Sequence, residues 1–336
     1  MRVYQYEKQE GIDSLQLAER PTPRPGRGEV LVRVHAVSLN YKDLYIAKGI
    51  PPRTQVGPLI PLSDAAGEVV ETGPGVSRVN AGDRVVGLVA PKWIGGGLTA
   101  EIAQSVLGTT IDGVLAEYTV MSEEAVLRFP AHLSHEEAAT LPCAAATAWN
   151  ALAGQGLVKP GDTVLVQGSG GVSLFALQFA RLLGARVIAT SSSDQKLNRM
   201  RELGADAGIN YRFHSDWDEY VLRETEGLGV DYVVEVGGPG TLEKSLRAVR
   251  IGGTISLIGA LAGLESAVNP LPVLLKAIRL QGISVGPRSI FEQMLRAIAQ
   301  HSLRPVIDKV FLFEQAREAL HYLESGKHFG KVVIRI

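Results

Sequence analysis

Residues Thr163 to Leu183, TVLVQGSGGVSLFALQFARLL, restrict the fold of this chain more than any other stretch. A short apolar strand, Val164, Leu165 and Val166, runs into Gly168-Ser169-Gly170-Gly171-Val172-Ser173. A helix follows without a polar break, carrying Val172, Ala176, Phe179, Ala180 and Leu183 at helical spacing. Glycines in such a turn permit backbone conformations that a Cβ blocks and let a pyrophosphate approach bare amides. Unpaired N–H groups at the helix start favour negative charge. Ser173 stands where the third glycine of a Gly-x-Gly-x-x-Gly turn would be, and is small enough for close helix-to-strand packing. Gly168, Ser169, Gly170, Gly171 and Val172 are therefore expected to hold a dinucleotide, unless the turn only reverses the chain.

The residues that follow favour the dinucleotide. Strand-like and helix-like patterns alternate through Arg186 to Thr190, Lys196 to Leu203, Ala207 to Asn210, Val230 to Val236, Thr241 to Val249, Thr254 to Ile258 and Gly282 to Val285. That rhythm predicts a doubly wound parallel sheet with crossover helices, an α/β Rossmann arrangement.

The 336 residues suffice for about two domains with separate cores. Formal net charge is -1 with no long run of one sign, so neither nucleic acid nor an anionic membrane is an expected partner. The start, MRVYQYEKQEG, lacks the apolar core of a signal peptide, and no stretch approaches the ~20 apolar residues of a membrane helix. A cytoplasmic location is expected. Cys143 is the only cysteine, which excludes an intramolecular disulfide and any cluster of several thiolates.

Residues 1 to 130 read as β-rich, with strands at Arg2 to Tyr6, Leu15 to Glu19 and Glu29 to Ser38 separated by Pro and Gly turns. Residues 91 to 113 hold three consecutive glycines and little periodicity, and are expected to form a mobile loop. Ser134-x-x-Glu137 and Ser289-x-x-Glu292 have capping-box spacing. His132 and His135 read as solvated turn residues. A helix from Glu314 to Leu323 and a strand from Lys331 to Ile336 return to the first theme.

This order of parts resembles a medium-chain dehydrogenase/reductase, in which a Rossmann domain is inserted into a chaperonin-10-like, β-rich catalytic domain. The resemblance covers essentially the whole chain. It is carried by Leu39-Asn40-Tyr41-Lys42-Asp43, Pro61-Leu62-Ser63-Asp64-Ala65-Ala66-Gly67-Glu68-Val69, Thr147-Ala148-Trp149, Lys159-Pro160-Gly161-Asp162, the glycine turn and Gly282 to Arg288. Residues 1–130 and 287–336 are then the catalytic domain and 131–286 the dinucleotide domain. The zinc-independent quinone oxidoreductase and enoyl reductase branches are the most similar. Zinc-dependent members carry a cysteine at Asn40 and a His-Glu pair at Ser63-Asp64. Cys143 falls near their remaining cysteine ligand, but one thiol cannot provide the three protein ligands of a catalytic zinc. The loop of their structural zinc has no cysteine here, so no metal is expected.

In NAD-selective Rossmann sites an acidic residue about 20 residues beyond the first glycine binds the ribose hydroxyls. Here the second strand ends in Ser191-Ser192-Ser193, with no carboxylate to repel a 2′-phosphate, and Asp194 reads as a helix N-cap. Lys196 and Tyr211 lie where similar quinone reductases bind that phosphate, so NADPH is expected in preference to NADH. The resemblance further implies that Thr147, Gly259, Ala260, Val285 and Gly286 approach the nicotinamide. His328, Phe329 and Lys331 are implied near the pyrophosphate.

Chemistry is expected from Asn40, Tyr41, Lys42 and Asp43. Asn40 offers an amide N–H, Tyr41 or Lys42 could stabilise or protonate an enolate, and Asp43 could orient one of them. By residue type alone the same four also make a helix cap, a half-buried tyrosine and a surface ion pair. The expected activity is metal-free, NADPH-dependent reduction of quinones or α,β-unsaturated carbonyls. A metal-free alcohol or aldehyde oxidoreductase is the alternative within the family, and an NADPH-binding structural or regulatory protein with little turnover the alternative outside it. A small-molecule carbonyl or quinone is the expected partner, with homodimerisation through the last sheet strand by family analogy.

Overall fold

Alternating apolar residues and proline-rich turns make the first part of the chain a β structure. The computed structural model describes residues 1–50, 57–265 and 267–336. Strands β1 (Arg2–Tyr6) and β2 (Leu15–Glu19) pair as an antiparallel ribbon. β3 (Glu29–Ser38) is buried along most of its length and pairs with β4 (Asp64–Thr72) on one side. Helix α1 (Tyr41–Ala47) leaves directly from the end of β3. β5 (Arg84–Gly87), β6 (Tyr118–Ser122) and β7 (Val126–Arg128) extend this antiparallel sheet, β6 pairing with β3.

The 91–113 segment is anchored, where a mobile loop was expected. It contains α2 (Ala100–Ala103), capped by Thr99 Oγ1, which accepts the Ile102 N–H at 3.3 Å. Trp93 is buried and its Nε1 donates to Gly96 O at 3.0 Å, while Gly113 N donates to Ile60 O at 2.7 Å. Apolar anchors spaced among glycines leave no period to read, yet they tie the loop down near its two ends.

Helix α3 (His135–Ala139) begins at the Ser134 capping box, as its spacing predicts. The helical run continues through a π turn at Leu141–Ala145, α4 (Ala146–Trp149) and a second π turn at Asn150–Gly154. The chain divides into two compact units, residues 1–146 with 286–336, and residues 147–285. The first unit thus runs past the expected boundary at 130. Its reason is α3, where the His135 ring lies 4.5 Å from His35, and Glu136 and Glu137 bind Arg335 and Arg304, both at 2.8 Å. His135 is accordingly half-buried, which corrects its reading as a solvated residue. Burial pushes its imidazole down to about 4, with His35 and Arg84 adding to the fall. His132 Nε2 lies 3.0 Å from Leu303 O.

The second unit follows the alternation seen in the sequence: β8 (Thr163–Gln167), α5 (Gly171–Leu182), β9 (Arg186–Ser191), α6 (Asp194–Glu202), β10 (Ala207–Asn210), α7 (Trp217–Glu224), β11 (Val230–Glu235), α8 (Leu242–Ala248), β12 (Val249–Leu257), α9 (Leu271–Leu275) and β13 (Arg279–Gly282). All its strand pairs are parallel, in the order β10-β9-β8-β11-β12-β13. Nothing in the sequence reading marks α7, which buries only Trp217, Asp218 and Val221. The last strand ends at Gly282 instead of starting there, because its pairing with Thr254–Leu257 sets the register and its exposed edge has no apolar run to reveal it.

The chain then returns to the first unit with α10 (Arg288–His301), β14 (Ile307–Leu312), α11 (Ala316–Glu324) and β15 (Lys331–Arg335). Helix α10 starts at Pro287 without the Ser289–Glu292 capping box, because Arg288 takes Glu292 into a 2.8 Å ion pair one turn away. β15 pairs with β14 and β3, completing a seven-stranded sheet in which six strands run in the order β14-β15-β3-β4-β5-β7 and β6 pairs with β3 off that path. Among the described residues no helix is long and apolar enough to cross a membrane.

Candidate active site

Parallel pairing sends the carboxyl ends of all six strands of the second unit to one edge of its sheet. Gly168–Ser173, Ser191 and Ser192, Tyr211, Gly259 and Ala260, and Val285 follow the ends of β8, β9, β10, β12 and β13 respectively. The strand order reverses between β8 and β11, the point at which open α/β sheets bind ligands. Gly168 has φ 71°, and its N–H donates to Thr190 O at 2.8 Å, tying the turn to the next strand. A Cβ added at Gly168 or Gly170 would meet no heavy atom within 4 Å, so open space lies over the turn. Helix α5 begins here with Gly170 as its cap, which has no side chain to satisfy the first amides. Ser173 Oγ donates to Gln167 O at 2.6 Å, holding helix to strand where the third glycine would otherwise allow close approach. These residues fit a dinucleotide pyrophosphate.

At the end of β9 the N-cap of α6 is Ser193, whose Oγ accepts the Lys196 N–H at 3.4 Å. Asp194 is thus the first helical residue and not the cap. Its carboxylate accepts from Asn210 Nδ2 at 2.8 Å. Tyr211 N donates to Ser191 O at 3.0 Å, which brings the serine run and Tyr211 together beside the first turn of α6, where Lys196 sits.

Sequence reasoning missed Gln167 and Glu235. Glu235 is fully buried at the end of β11; its Oε1 accepts from Gly237 N at 2.8 Å, Gly238 N at 2.9 Å and Thr241 Oγ1 at 2.5 Å. Its Oε2 accepts from Gln167 Nε2 at 2.8 Å and from Ser245 Oγ. Gln167 Oε1 in turn accepts from Val236 N at 3.3 Å and Gly237 N at 3.4 Å. Together they clamp the loop after β11 to the end of β8. The only signal was a carboxylate closing an apolar strand ahead of two glycines.

The four residues expected to carry chemistry lie in the first unit, at the start of α1. Asn40 N donates to Asp43 Oδ2 at 2.7 Å, so the predicted cap is real on its Asp43 side. The Asn40 side chain is otherwise engaged. Its Oδ1 accepts from Lys331 Nζ at 2.6 Å, while Nδ2 is buried with no hydrogen-bond partner. Lys331 Nζ also donates to Leu39 O at 2.6 Å. Lys42 Nζ and Asp43 Oδ1 are likewise buried without hydrogen-bond partners. Burial pushes the Asp43 carboxyl up to about 6, against the pull of Lys42 and the Asn40 N–H. Tyr41 is 40% exposed and meets Tyr45 edge-on at 5.3 Å. Among the residues implied for the cofactor, Gly286, His328, Phe329 and Lys331 belong to this unit, and Phe329 is buried. Thr147 is buried in the second unit.

The positions that hold zinc in metal-dependent relatives carry a different donor set. Asp64 is fully buried; Oδ1 accepts from Ser63 Oγ at 2.6 Å, and Oδ2 from Cys143 N at 3.1 Å and Ser38 Oγ at 3.4 Å. Burial pushes the Cys143 thiol up to about 12, with Asp64 adding to the rise. The Lys331 ammonium is lowered by burial and supported by Asp64. Among the described residues no three His, Cys, Asp or Glu are grouped as metal ligands. A protonated thiol, a serine, an amide and a carboxylate already bound by protein donors do not fit a catalytic zinc.

Residues 26–131 match the alcohol dehydrogenase GroES-like domain, and residues 171–300 match the domain described as zinc-binding dehydrogenase. A zinc-type alcohol dehydrogenase-like protein of Schizosaccharomyces pombe is 42% identical over 343 residues, covering 100% of this chain and 99% of its own. A chloroplastic quinone-oxidoreductase of Triphysaria versicolor is 31% identical over 99% of this chain and 98% of its own. The solved structure of a putative alcohol dehydrogenase from Sinorhizobium meliloti superposes with a TM-score of 0.94 at 43% identity, covering 100% of this chain and 98% of that one. A mycobacterial protein solved in complex with NADPH superposes at 0.84 with 27% identity, covering 100% of both chains. Full-length identity at this level, on this pair of domains, makes the chain a member of the medium-chain dehydrogenase/reductase superfamily of oxidoreductases.

Proposed function

We propose that the chain is a metal-free reductase of quinones or α,β-unsaturated carbonyls. The observation that carries this reading is the start of α1. There Asn40 Nδ2 and Lys42 Nζ are buried donors without hydrogen-bond partners, and the zinc positions hold Asn40, Ser63, Asp64 and a protonated Cys143. The family and the open glycine turn point to a nicotinamide carrier, which when bound supplies hydride. Negative charge that develops on an acceptor's carbonyl oxygen is matched by the Asn40 N–H and the Lys42 ammonium. Lys42 can also deliver the proton; Tyr41, more exposed, is the other donor within the same turn. Alcohol oxidation needs an alkoxide to be stabilised, which a Lewis acid does best, and this donor set provides none.

NADPH is favoured over NADH because Ser191 and Ser192 end β9 and Lys196 and Tyr211 flank them. Asp194, the carboxylate that follows the serine run in sequence, accepts from Asn210 Nδ2 at 2.8 Å. A metal-free alcohol or aldehyde oxidoreductase is a second reading; the Schizosaccharomyces and Sinorhizobium relatives are named as a zinc-type alcohol dehydrogenase-like protein and a putative alcohol dehydrogenase, which supports its alcohol chemistry alone. A homodimer through the β13 edge is supported by the exposure of Leu271, Leu274, Leu275 and Leu280 on and beside that strand. Sedimentation at micromolar concentration checks it, and a monomer refutes it.

The decisive experiment titrates NADPH against NADH by calorimetry and then screens quinones, 2-alkenals, aldehydes and alcohols with the tighter carrier. The expected result is NADPH consumption with quinones or enones, reduced about a hundredfold or more in Asn40→Ala while NADPH binding persists. Turnover confined to alcohols, or stoichiometric zinc in the purified protein, overturns the reading.

A further inference from the structure

Lys331 opens β15, yet its side chain is 3% exposed and its ammonium ends beside the residues that start α1. Nζ donates two hydrogen bonds of 2.6 Å, one to the Leu39 carbonyl and one to Asn40 Oδ1. An amide side chain can be turned end for end, exchanging an acceptor for two donors at nearly the same position. Beside a lysine the two orientations are not equivalent, because an ammonium has three donors and no acceptor. Only Oδ1 can face Lys331, so the NH₂ end must face away. That end, Nδ2, is the buried donor with no hydrogen-bond partner.

We infer that Lys331 is a positioning residue that locks the Asn40 amide with its N–H groups toward the acceptor oxygen. A bond from a cation to Oδ1 also draws electrons from the amide and makes its N–H groups stronger donors. A lysine that merely tied β15 to the Leu39 carbonyl would have no such effect. The inference rests on the reading of Asn40 as the donor to the acceptor oxygen, and extends it to a residue 291 positions away in the chain.

A double-mutant cycle tests it in the full chain: Lys331→Met, Asn40→Ala and the two together, with NADPH as carrier and a quinone or enone as acceptor. Lys331→Met is expected to lower kcat about tenfold or more, since the amide loses its fixed orientation. NADPH affinity should stay within about twofold, because the buried Nζ is engaged by Leu39 O and Asn40 Oδ1 and not turned to the pyrophosphate that the resemblance implied for it. In the Asn40→Ala background the same substitution should change kcat by less than about twofold, because nothing remains to be positioned. If the two losses multiply, Lys331 does not act through Asn40 and the inference is overturned while the proposed function stands. If Asn40→Ala keeps full kcat, the proposed function fails first. Should Lys331→Met not fold, Lys331→Gln, with a neutral polar head of similar length, enters the same cycle with the same criterion.

Discussion

Replacing Asp43 by asparagine separates a helix cap from a buried charge. The cap is a bond from Asn40 N to Asp43 Oδ2 at 2.7 Å, and an asparagine carbonyl can accept it equally well. The charge is a different matter, because Oδ1 has no partner and the residue is 2% exposed. Burial raises the carboxyl from 3.8 to about 6. A folded-state value above the unfolded one means that the native protein holds this proton more tightly than the unfolded chain does. Its contribution is therefore full below about pH 3.8 and is lost as pH rises through about 6, by about 3 kcal/mol in all at ~1.4 kcal/mol per unit. Asparagine does not titrate. Asp43→Asn should accordingly gain on the parent by about 2 kcal/mol between pH 4.5 and pH 7.5. Urea unfolding of both proteins at both pH values, with matched slopes, measures the difference. A gap that stays constant with pH refutes the argument. A gap that shrinks as pH rises shows that attraction to Lys42 and Lys331 outweighs burial.

Gly170→Val should cost less than about 1 kcal/mol of stability, because φ is −78° and the space is open, yet weaken NADPH binding at least about tenfold; an unchanged affinity would remove the pyrophosphate from this turn. Tyr6 is fully buried with no partner for its hydroxyl, so Tyr6→Phe should stabilise the protein by about 1 kcal/mol in thermal or urea melts, and a loss of stability would contradict this. Glu235→Leu strands the donors of Gln167, Gly237, Gly238, Thr241 and Ser245 and should cost about 3–5 kcal/mol, with Glu235→Gln costing less; a parental melting curve for the leucine variant would show the clamp to be dispensable.

The parts of the fold that were legible are those specified within a few residues. The ranges Arg2–Tyr6, Leu15–Glu19 and Glu29–Ser38 follow from alternation between proline and glycine turns, and the structure has strands at those bounds. The glycine turn announces itself because strand, turn and helix are contiguous. Spacing alone was less trustworthy. Ser134–Glu137 forms its capping box, but Ser289–Glu292 does not, since Arg288 competes for the same carboxylate. Edge strand β13 and helix α7 escaped because each buries too little to leave an apolar period.

The candidate site divides along the same line. Its residue types were readable in Asn40-Tyr41-Lys42-Asp43, because a cap, an amide and a cation in one turn of chain are local facts. Which of their atoms stay unpaired was not. That depends on Lys331 reaching Asn40 from the far end of the chain and on Asp64 being surrounded by Ser38, Ser63 and Cys143. Periodicity and turn chemistry act over one or two turns of backbone, so the order of residues alone determined the elements that bury an apolar face and the parallel, doubly wound pattern. Burial and hydrogen-bond partnership are set by residues that meet only when those elements pack, so only the tertiary structure decided which groups are held as scaffold and which are left to act.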